Sequence, residues 1–395
     1  MKEFKDKEKL PEGWKRVKLG EVIKYEQPWK YTVKNEKYDP KHGVPVLTAG
    51  KTFILGYTDE TTGVYENVPA IIFDDFTTES RFVNFPFKVK SSALKILKSA
   101  NNDTNLFFVF NLLQTVPLKP GSEHKRFWIS EYSKIDIPLP PLPEQQKIAE
   151  ILETVDNAIE KTDKIIEKYK RIKQGLMQKL LTKGIDEEGN IRSEKTHKFK
   201  DSPVGRIPVE WEVKRLGEVF IIRAGGDISK LRFSKFPDKE FRFPIYSNTI
   251  ENKGLYGYAN TYTYPENSIT VTGRGTLGFA VPRFEKFNAI IRVLVLIPKC
   301  PVNIVYVSEY INSMINFEVE MTGVPQLTAP KISKYLIPLP PLPEQQRIAE
   351  ILSQVDKVIE KEQNYKEKLK RLKQGLMEDL LIGKVRVNNL IEVVL

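Results

Sequence analysis

Residues 137–146 read Ile-Pro-Leu-Pro-Pro-Leu-Pro-Glu-Gln-Gln, and residues 337–346 read the same ten residues. The repeat continues without a gap: between residues 137–185 and residues 337–385, at a constant offset of 200, 31 of 49 positions are identical. This period is far too long for the repeating unit of a solenoid. It therefore indicates a duplicated domain together with its connecting segment.

Each proline-rich stretch leads into a predicted long helix. Pro143 suits a first helical turn, where a missing N–H costs nothing, and Glu144 complements the helix dipole. The apolar positions follow the alternating four-three spacing of a heptad seam. The predicted seam is Ile151, Val155, Ala158, Thr162, Ile165, Tyr169, Ile172 and Leu176 in the first copy, and Ile351, Val355, Val358, Glu362, Tyr365, Leu369, Leu372 and Leu376 in the second. A helix of about 55 Å with such a seam needs a partner, and we expect that partner to be its own repeat.

The composition limits the class of protein. A chain of 395 residues should hold two or three domains. Its formal net charge of +11 favours a polyanionic partner, although a solvated Lys- and Glu-rich surface is an equal alternative. The single cysteine, Cys300, excludes an internal disulfide framework and points to a reducing compartment. With no long apolar run and no signal-like N-terminus, we expect a cytoplasmic protein.

The duplication extends beyond the helices. Leu10-Pro11-Glu12-Gly13-Trp14 returns as Ile207-Pro208-Val209-Glu210-Trp211, and residues 15–135 carry short apolar runs between turns, which is typical of short strands. We therefore predict an α+β fold in which two homologous globules alternate with two long helices. The predicted segments are a first globule at 1–142, a first helix at 143–182, an exposed linker at 183–206, a second globule at 207–342, and a second helix with a tail at 343–395.

The sequence shows no recognisable catalytic or metal site. Gly50-Lys51-Thr52 resembles the end of a phosphate-binding loop, but Pro45 stands where its first glycine is needed. The three histidines are scattered, and with one cysteine they give no metal-ligand spacing. Asp74-Asp75 has no acidic counterpart in the second half, so turn chemistry explains it better. We predict no catalytic residue and no metal ligand, and an active site without a sequence signature is the alternative.

The globules do offer basic and polar residues at turns, which suit phosphate anchoring and hydrogen bonds to base edges. Glycines beside Arg274 would let the backbone approach a sugar–phosphate chain closely. For any one residue, a solvated loop charge is the competing interpretation. The predicted DNA-binding residues are Lys30, Tyr31, Lys34, Lys51, Thr77, Thr78, Ser80 and Arg81 in the first globule, and Arg223, Lys230, Arg232, Asn248, Thr272, Gly273, Arg274 and Thr276 in the second. Because the helices are nearly identical in the two copies while these loops diverge, the two globules are expected to recognise different targets.

Charged residues off the seam are also identical in both copies. Shared exposed residues on two copies suggest two equivalent partners around a pseudo-two-fold axis, and recent duplication is the alternative reason for the identity. The predicted partner-binding residues are Glu150, Asp156, Arg171, Glu350, Asp356 and Arg371.

The chain resembles the specificity subunits of type I restriction–modification systems. The resemblance is carried by the stretches at 137–146 and 337–346, each heading a helix that ends near Lys-Gln-Gly-Leu-Met. It is also carried by Asp201-Ser202-Pro203-Val204-Gly205-Arg206-Ile207-Pro208-Val209-Glu210-Trp211, which opens the second globule. It implies two target-recognition domains, separated by two antiparallel helices, that each read half of a split, asymmetric site in double-stranded DNA.

The resemblance also implies where the chemistry takes place. No cofactor is expected in this chain, and it is not expected to be an enzyme. Methyltransferase subunits, expected to number two, and restriction–translocase subunits would bring S-adenosylmethionine, ATP and Mg. Two other classes remain open: a stand-alone methyltransferase or nuclease, and a coiled-coil scaffold whose proline-rich stretches are polyproline ligands.

Overall fold

The computed structural model describes residues 10–48, 52–116, 127–228, 232–317 and 326–391. The chain forms two compact units. Unit 1 comprises Met1–Asp163 and Asn364–Leu395, and unit 2 comprises Lys164–Gln363. Each unit therefore contains one globule together with part of both long helices. The boundary between the units passes through the helices.

Unit 1 builds its globule from short strands, as the apolar runs predict. Its elements are β1 (Lys15–Lys18), α1 (Leu19–Val22), β2 (Ile23–Glu26), β3 (Val44–Leu47), β4 (Ile54–Thr58), β5 (Ala70–Asp74), β6 (Ser80–Val83), β7 (Lys88–Val89), β8 (Leu94–Ser99), α2 (Leu106–Thr115), α3 (Phe127–Ser130) and β9 (Asp136–Leu139). One antiparallel sheet has the order β2-β8-β5-β6, and a second has the order β4-β3-β7 with β3 and β7 parallel. The buried Phe73 packs edge-on against Trp128 and Tyr132, so α3 closes the core over the first sheet.

Unit 2 repeats this plan. Its elements are β10 (Phe199–Lys200), β11 (Ile207–Pro208), β12 (Glu212–Arg215), α5 (Leu216–Val219), β13 (Phe220–Ala224), β14 (Phe233–Ser234), β15 (Phe243–Tyr246), β16 (Leu255–Ala259), β17 (Ser268–Val271), β18 (Ala280–Arg283), β19 (Asn288–Ala289), β20 (Leu294–Pro298), α6 (Ile304–Met314), α7 (Ala329–Ile332) and β21 (Leu336–Leu339). The sheets have the orders β13-β20-β17-β18 and β14-β16-β15-β19. Asn303 accepts hydrogen bonds from two backbone N–H groups at the start of α6, and Asn105 caps α2 by accepting one from the Phe108 N–H. The predicted α+β class and the homology of the two globules are confirmed.

The repeated proline-rich stretch has two structural roles. Its first residues form an edge strand: β9 pairs antiparallel with β1, and β21 pairs with β12. The helix then begins at once, with α4 spanning Leu142–Leu180 and α8 spanning Leu342–Leu380. Each helix has 39 residues and a length of about 58 Å. The long helix pair is confirmed, while the short strand before each helix was not predicted.

Ion pairs connect the two long helices within each unit. In unit 1, Lys373 lies 2.7 Å from Asp156 and Lys366 lies 2.5 Å from Asp163. The residue number rises along α4 while it falls by the same amount along α8, so the two segments run antiparallel. In unit 2, the ammonium group of Lys173 bridges Asp356 at 2.7 Å and Glu309 at 3.0 Å.

Part of the predicted helix seam is wrong. Val155 and Thr162 are buried as predicted, but Ile165 is 40% exposed and its neighbour Ile166 only 5%. In the second copy Tyr365 is likewise half exposed. The observed seam runs one residue later at alternate positions, and its buried members in the first copy are Ile148, Leu152, Val155, Thr162 and Ile166. Two heptad patterns overlap in this sequence, and the periodicity alone cannot choose between them.

A buried carboxylate joins each globule to the start of its helix. In unit 1 the Trp14 indole N–H donates to Glu144 at 3.0 Å, and Arg386 donates to both carboxylate oxygens at 2.7 and 2.9 Å. In unit 2, Trp211 donates to Glu344 at 3.2 Å and Arg192 binds the same carboxylate through two nitrogens. The arginine arrives in each unit from the segment that follows a long helix.

This arrangement changes the picture of residues 183–206, which we expected to be an exposed linker. Ile185 is buried and its N–H donates to Glu344 at 2.9 Å. Further along, β10 pairs with β11. The segment is thus anchored to unit 2 at several points. None of the helices in the described part of the chain is long and apolar enough to cross a membrane.

Candidate nucleic-acid interface

The turn after β17 in unit 2 presents Arg274 to solvent. Thr272 is buried and its hydroxyl donates to the carbonyl of Thr276, while it accepts a hydrogen bond from the Phe279 N–H at 2.9 Å. These bonds close the turn, so that Arg274 and Thr276 stand exposed at its tip. Gly275 lies between them with φ +68, a conformation that favours glycine. Arg274 and Thr276 are therefore accessible to a ligand.

Two neighbouring predictions in this turn need correction. Thr272 and Gly273 are buried, so they shape the turn and offer no exposed contact. A Cβ on Gly273 would lie 2.9 Å from the Leu327 carbonyl oxygen and 3.0 Å from that of Arg292. The close approach that requires glycine here is an approach to the backbone of the protein itself.

Asn248 is engaged within the fold as well. Its Oδ1 accepts a hydrogen bond from the Gly273 N–H at 2.7 Å, and its Nδ2 donates to the Ile291 carbonyl. The direct contact of this side chain with DNA stays a prediction, and its amide bridges two backbone segments. Those segments bring Arg292 beside the Arg274 turn, and Arg292 is exposed.

Sequence reasoning missed Arg292 and a second exposed cation, Lys253. The carbonyl of Lys253 accepts a hydrogen bond from Arg283 at 2.5 Å. Arg283 is buried, with its guanidinium 3.4 Å from the centre of the Tyr246 ring, and burial lowers its pKa. The positions of Lys253 and Arg292 depend on positive φ angles at non-glycine residues, which no residue pattern announces. A basic residue in a turn was the only available signal.

The remaining candidates in unit 2 lie apart from this turn. Arg223 is exposed on β13. Arg232 is exposed but pairs with Glu240 at 3.1 Å, so part of its charge is neutralised within the fold. Lys230 lies outside the described residues.

The corresponding turn of unit 1 is built differently. Asp74 accepts hydrogen bonds from the Phe76 N–H at 2.9 Å and the Thr77 hydroxyl at 2.6 Å. Thr78 has φ 61 and is buried, so its predicted contact is wrong and it serves the turn instead. Phe76 is 52% exposed in this turn, whereas the turn of unit 2 presents Arg274. Thr77 stays exposed beside it.

Beyond this turn, Ser80 accepts a hydrogen bond from Gln114 at 2.7 Å and is only partly exposed. Arg81 is exposed and lies 3.9 Å from Glu79. Its guanidinium lies 5.9 Å from the centre of the Phe53 ring. Arg81 is therefore the accessible cation of this edge.

A second group of candidates follows β2. The Tyr31 hydroxyl donates to Glu26 at 2.8 Å and its ring packs edge-on against Tyr65, and burial raises the pKa of Tyr31. Tyr31 is therefore largely a packing residue. Lys30 is exposed beside Trp29, which is 70% exposed and was not predicted.

Lys34 and Lys51 complete the unit 1 candidates. Lys34 is exposed, and its backbone N–H donates to Glu60 at 2.9 Å. Hydrogen bonds from Asn35 and Lys88 lower the pKa of Glu60 to about 2. Lys51 lies outside the described residues.

Asp74 and Asp75 both bond to other groups within the fold. Asp75 accepts a hydrogen bond from the Trp128 N–H at 2.9 Å and pairs with buried Lys95 at 3.3 Å. In the part of the chain that the structure describes, no group of three or more His, Cys, Asp or Glu residues could hold a metal ion.

Comparison with known proteins identifies the family of this chain. The family profile described as "Type I restriction modification DNA specificity domain" matches residues 11–170 and again residues 208–371. The chain belongs to this family. The two matches coincide with the two copies of the repeat, so the resemblance stated from the sequence is confirmed.

Similar specificity subunits cover nearly the whole chain. The specificity subunit of the type I restriction enzyme EcoR124I/EcoR124II of Escherichia coli is 34% identical, with 90% of each chain covered. That of the MjaVIII enzyme of Methanocaldococcus jannaschii is 29% identical, with 97% of this chain and 95% of the relative covered. A solved specificity subunit from M. genitalium shares the fold, with a TM-score of 0.64 at 15% identity over 96% of this chain and 98% of that one.

The predicted partner-binding residues of this specificity subunit fall into two groups: some pair the two helices with each other, and the others are exposed. Asp156 and Asp356 each pair with a lysine of the other helix at 2.7 Å, so helix pairing by itself gives a reason for their identity in both copies. Arg171 is exposed and 3.4 Å from Glu167, and Glu150 is exposed and 3.0 Å from Lys147. Glu350 and Arg371 are exposed as well.

Proposed function

We propose that this specificity subunit reads a bipartite, asymmetric site in double-stranded DNA, with one unit for each half-site. The observation that carries the proposal is the pair of corresponding turns after β5 and β17. The sheets beneath them have the same strand order, yet the tips carry Phe76 in unit 1 and Arg274 in unit 2. Different side chains on one frame suit the reading of two different base sequences.

The chain itself is proposed to be non-catalytic. Methyltransferase subunits, two in number, and restriction–translocase subunits would carry out the reactions with S-adenosylmethionine, ATP and Mg. The assembly would work in the cytoplasm, because its DNA substrate lies there and because a cysteine stays reduced there. Support comes from the relatives, which are themselves named specificity subunits.

The long helices are proposed to set the distance between the half-sites and to dock the partner subunits. Their exposed faces carry the identical arginines Arg171 and Arg371. They also carry exposed apolar side chains, among them Ile165 and Ile172 on α4 and Tyr365 and Leu372 on α8. Such a face, apolar with charged neighbours, suits a protein partner better than DNA.

A domain exchange tests the reading function. The recognised site is first defined by methylome sequencing of a host that carries the three genes. Residues 210–335 are then replaced by the equivalent segment of a related specificity subunit. Only one half of the methylated site should change, because base readout is local to each globule. A change in both halves would contradict the proposal.

The two competing classes have tests of their own. Methyl transfer by the purified chain, given methyl donor and DNA, would support a stand-alone enzyme. A full complex that assembles and binds DNA equally well without these globules would support a scaffold. We expect neither result.

A further inference from the structure

The turn between β19 and β20 has a strained backbone. Ile291 has φ 53 and Arg292 has φ 61, so two consecutive non-glycine residues adopt the left-handed region. Turns of this kind favour asparagine and glycine, and a β-branched residue there is strained. Strain of this sort persists only where the surroundings hold it, and it is frequent at functional sites. The corresponding residues of unit 1, Ser91 and Ser92, are described and have no positive φ.

Asn248 is the residue that holds this turn. It donates to the carbonyl of Ile291 while it accepts from the N–H of Gly273, and only one orientation of its amide satisfies both bonds. The Ile291 N–H donates to the Gly226 carbonyl at 3.1 Å on the other side. The carbonyl of Arg292 packs against Gly273 so closely that a Cβ would lie 3.0 Å away. Asn248 thus stands where three backbone segments meet.

Each of these segments carries an exposed cation. Arg274 follows Gly273, Arg292 follows Ile291, and Lys253 lies in the turn that begins at Ser247. That turn is closed by the Ser247 N–H, which donates to the Gly254 carbonyl at 2.8 Å. Arginine and lysine on rigid turns are suited to phosphate oxygens and to the acceptors of guanine.

We propose that Arg292 contacts the DNA half-site read by unit 2, beside Arg274, and that Asn248 is the positioning residue for both. This inference rests on the proposed function and adds to it a contact and its support. Asn248 does not read a base in this arrangement, because its amide joins the two turns. Its role is to keep the strained Ile291–Arg292 backbone in the conformation that presents the guanidinium.

The test uses the specificity subunit assembled with its methyltransferase partners. Binding to a duplex that carries the methylome-defined site is measured by fluorescence anisotropy over a series of salt concentrations. Arg292→Ala should lower the affinity at least about fivefold. If the contact is to phosphate, the salt slope should also fall by about one. Arg215→Ala, which removes the same charge from an exposed residue of β12, is the matched control and should bind as the unmutated complex does.

Asn248→Ala tests the positioning role. Its loss of affinity should equal or exceed that of Arg292→Ala, and adding Arg292→Ala to it should lower the affinity little further, because one residue acts through the other. Ile291→Gly supplies the rescue. Glycine adopts positive φ without support, so Asn248→Ala should cost clearly less in that background.

Each outcome decides one point. Arg292 is exposed, so its variant tests the contact even if Asn248→Ala lowers the melting temperature. Unchanged binding of Arg292→Ala across the salt series would overturn the contact. Fully additive losses, or an undiminished loss from Asn248→Ala in the Ile291→Gly background, would overturn the positioning role. If the unmutated complex did not prefer the site to a random duplex, the proposed function itself would fail.

Discussion

At the scale of single residues, the exposed Arg274 offers a direct test of base readout in unit 2. Arg274→Ala should weaken binding or relax specificity in one half-site, by about 1–3 kcal/mol if the side chain makes a bidentate base contact. Equal weakening on all sequences with a shallower salt dependence would mark a phosphate contact instead. Arg215→Ala, which removes an exposed arginine from β12, is the control. No effect on affinity or specificity would remove Arg274 from the interface.

The buried carboxylate of Glu144 is expected to contribute to the stability of unit 1. Glu144→Gln should lower the free energy of unfolding by about 2–3 kcal/mol, since it leaves the partly buried Arg386 without its charge partner. Glu150→Gln on the same helix is exposed and should stay within about 0.5 kcal/mol. Chemical denaturation of the full chain measures both. Equal effects of the two variants would show that the Trp14–Glu144–Arg386 cluster contributes little.

At the scale of elements, the exposed arginines of α4 and α8 test the docking role. Charge reversal at Arg171 and Arg371 together should prevent assembly with the methyltransferase, because both lie on exposed helix faces. Size-exclusion chromatography of the mixed subunits follows the assembly. Reversal of Lys195 and Lys198, exposed residues outside the helices, changes the net charge equally and should leave assembly intact. An unchanged complex with the arginine variant would count against this surface.

The seam of the helices shows what periodicity can and cannot specify. Ile165 and Ile166 are adjacent, and each belongs to a complete four-three pattern. The pattern that is buried also contains Lys173 and Lys373, each paired with an aspartate of the other helix. A count of apolar residues gives no weight to a lysine. Ion pairs between distant residues therefore accompany the observed register.

At the scale of the whole molecule, the helices are predicted to act as a ruler. Inserting four residues after Thr162 and four after Glu362 lengthens each helix by about 6 Å. The variant should then prefer the same half-sites with a gap longer by about one to two base pairs, at about 3.4 Å for each. Some loss of stability is expected, because four residues advance the heptad seam imperfectly.

Methylome sequencing of a host that carries the insertion variant measures the gap. A melting temperature of the variant close to that of the parent chain is the control for folding. A stable variant that methylates only the original spacing would show that the helices do not set the distance.

The sequence by itself determined the duplication, the α+β class, the long helices and the family. These properties are local or repeated: a period of 200 residues, strands of alternating residues and a proline-rich helix start can all be read in one dimension. It also placed Arg274 in an exposed turn and Arg81 just after one, because glycine and polar residues mark such turns. The segment at 183–206 shows the limit of such prediction, because its polar composition indicated an exposed linker and gave no sign of its contacts with Glu344.

Only the tertiary structure decided which candidates are accessible. Thr78, Thr272 and Asn248 have the residue types of a DNA contact, but the two threonines bond to the backbone of their own turns and Asn248 bonds to the backbone of two other segments. Arg292 and Lys253 were passed over because positive φ angles at ordinary residues leave no trace in a residue pattern. Hydrogen bonds and close packing between segments far apart in the chain determine these positions, and such contacts exist only once the chain has folded.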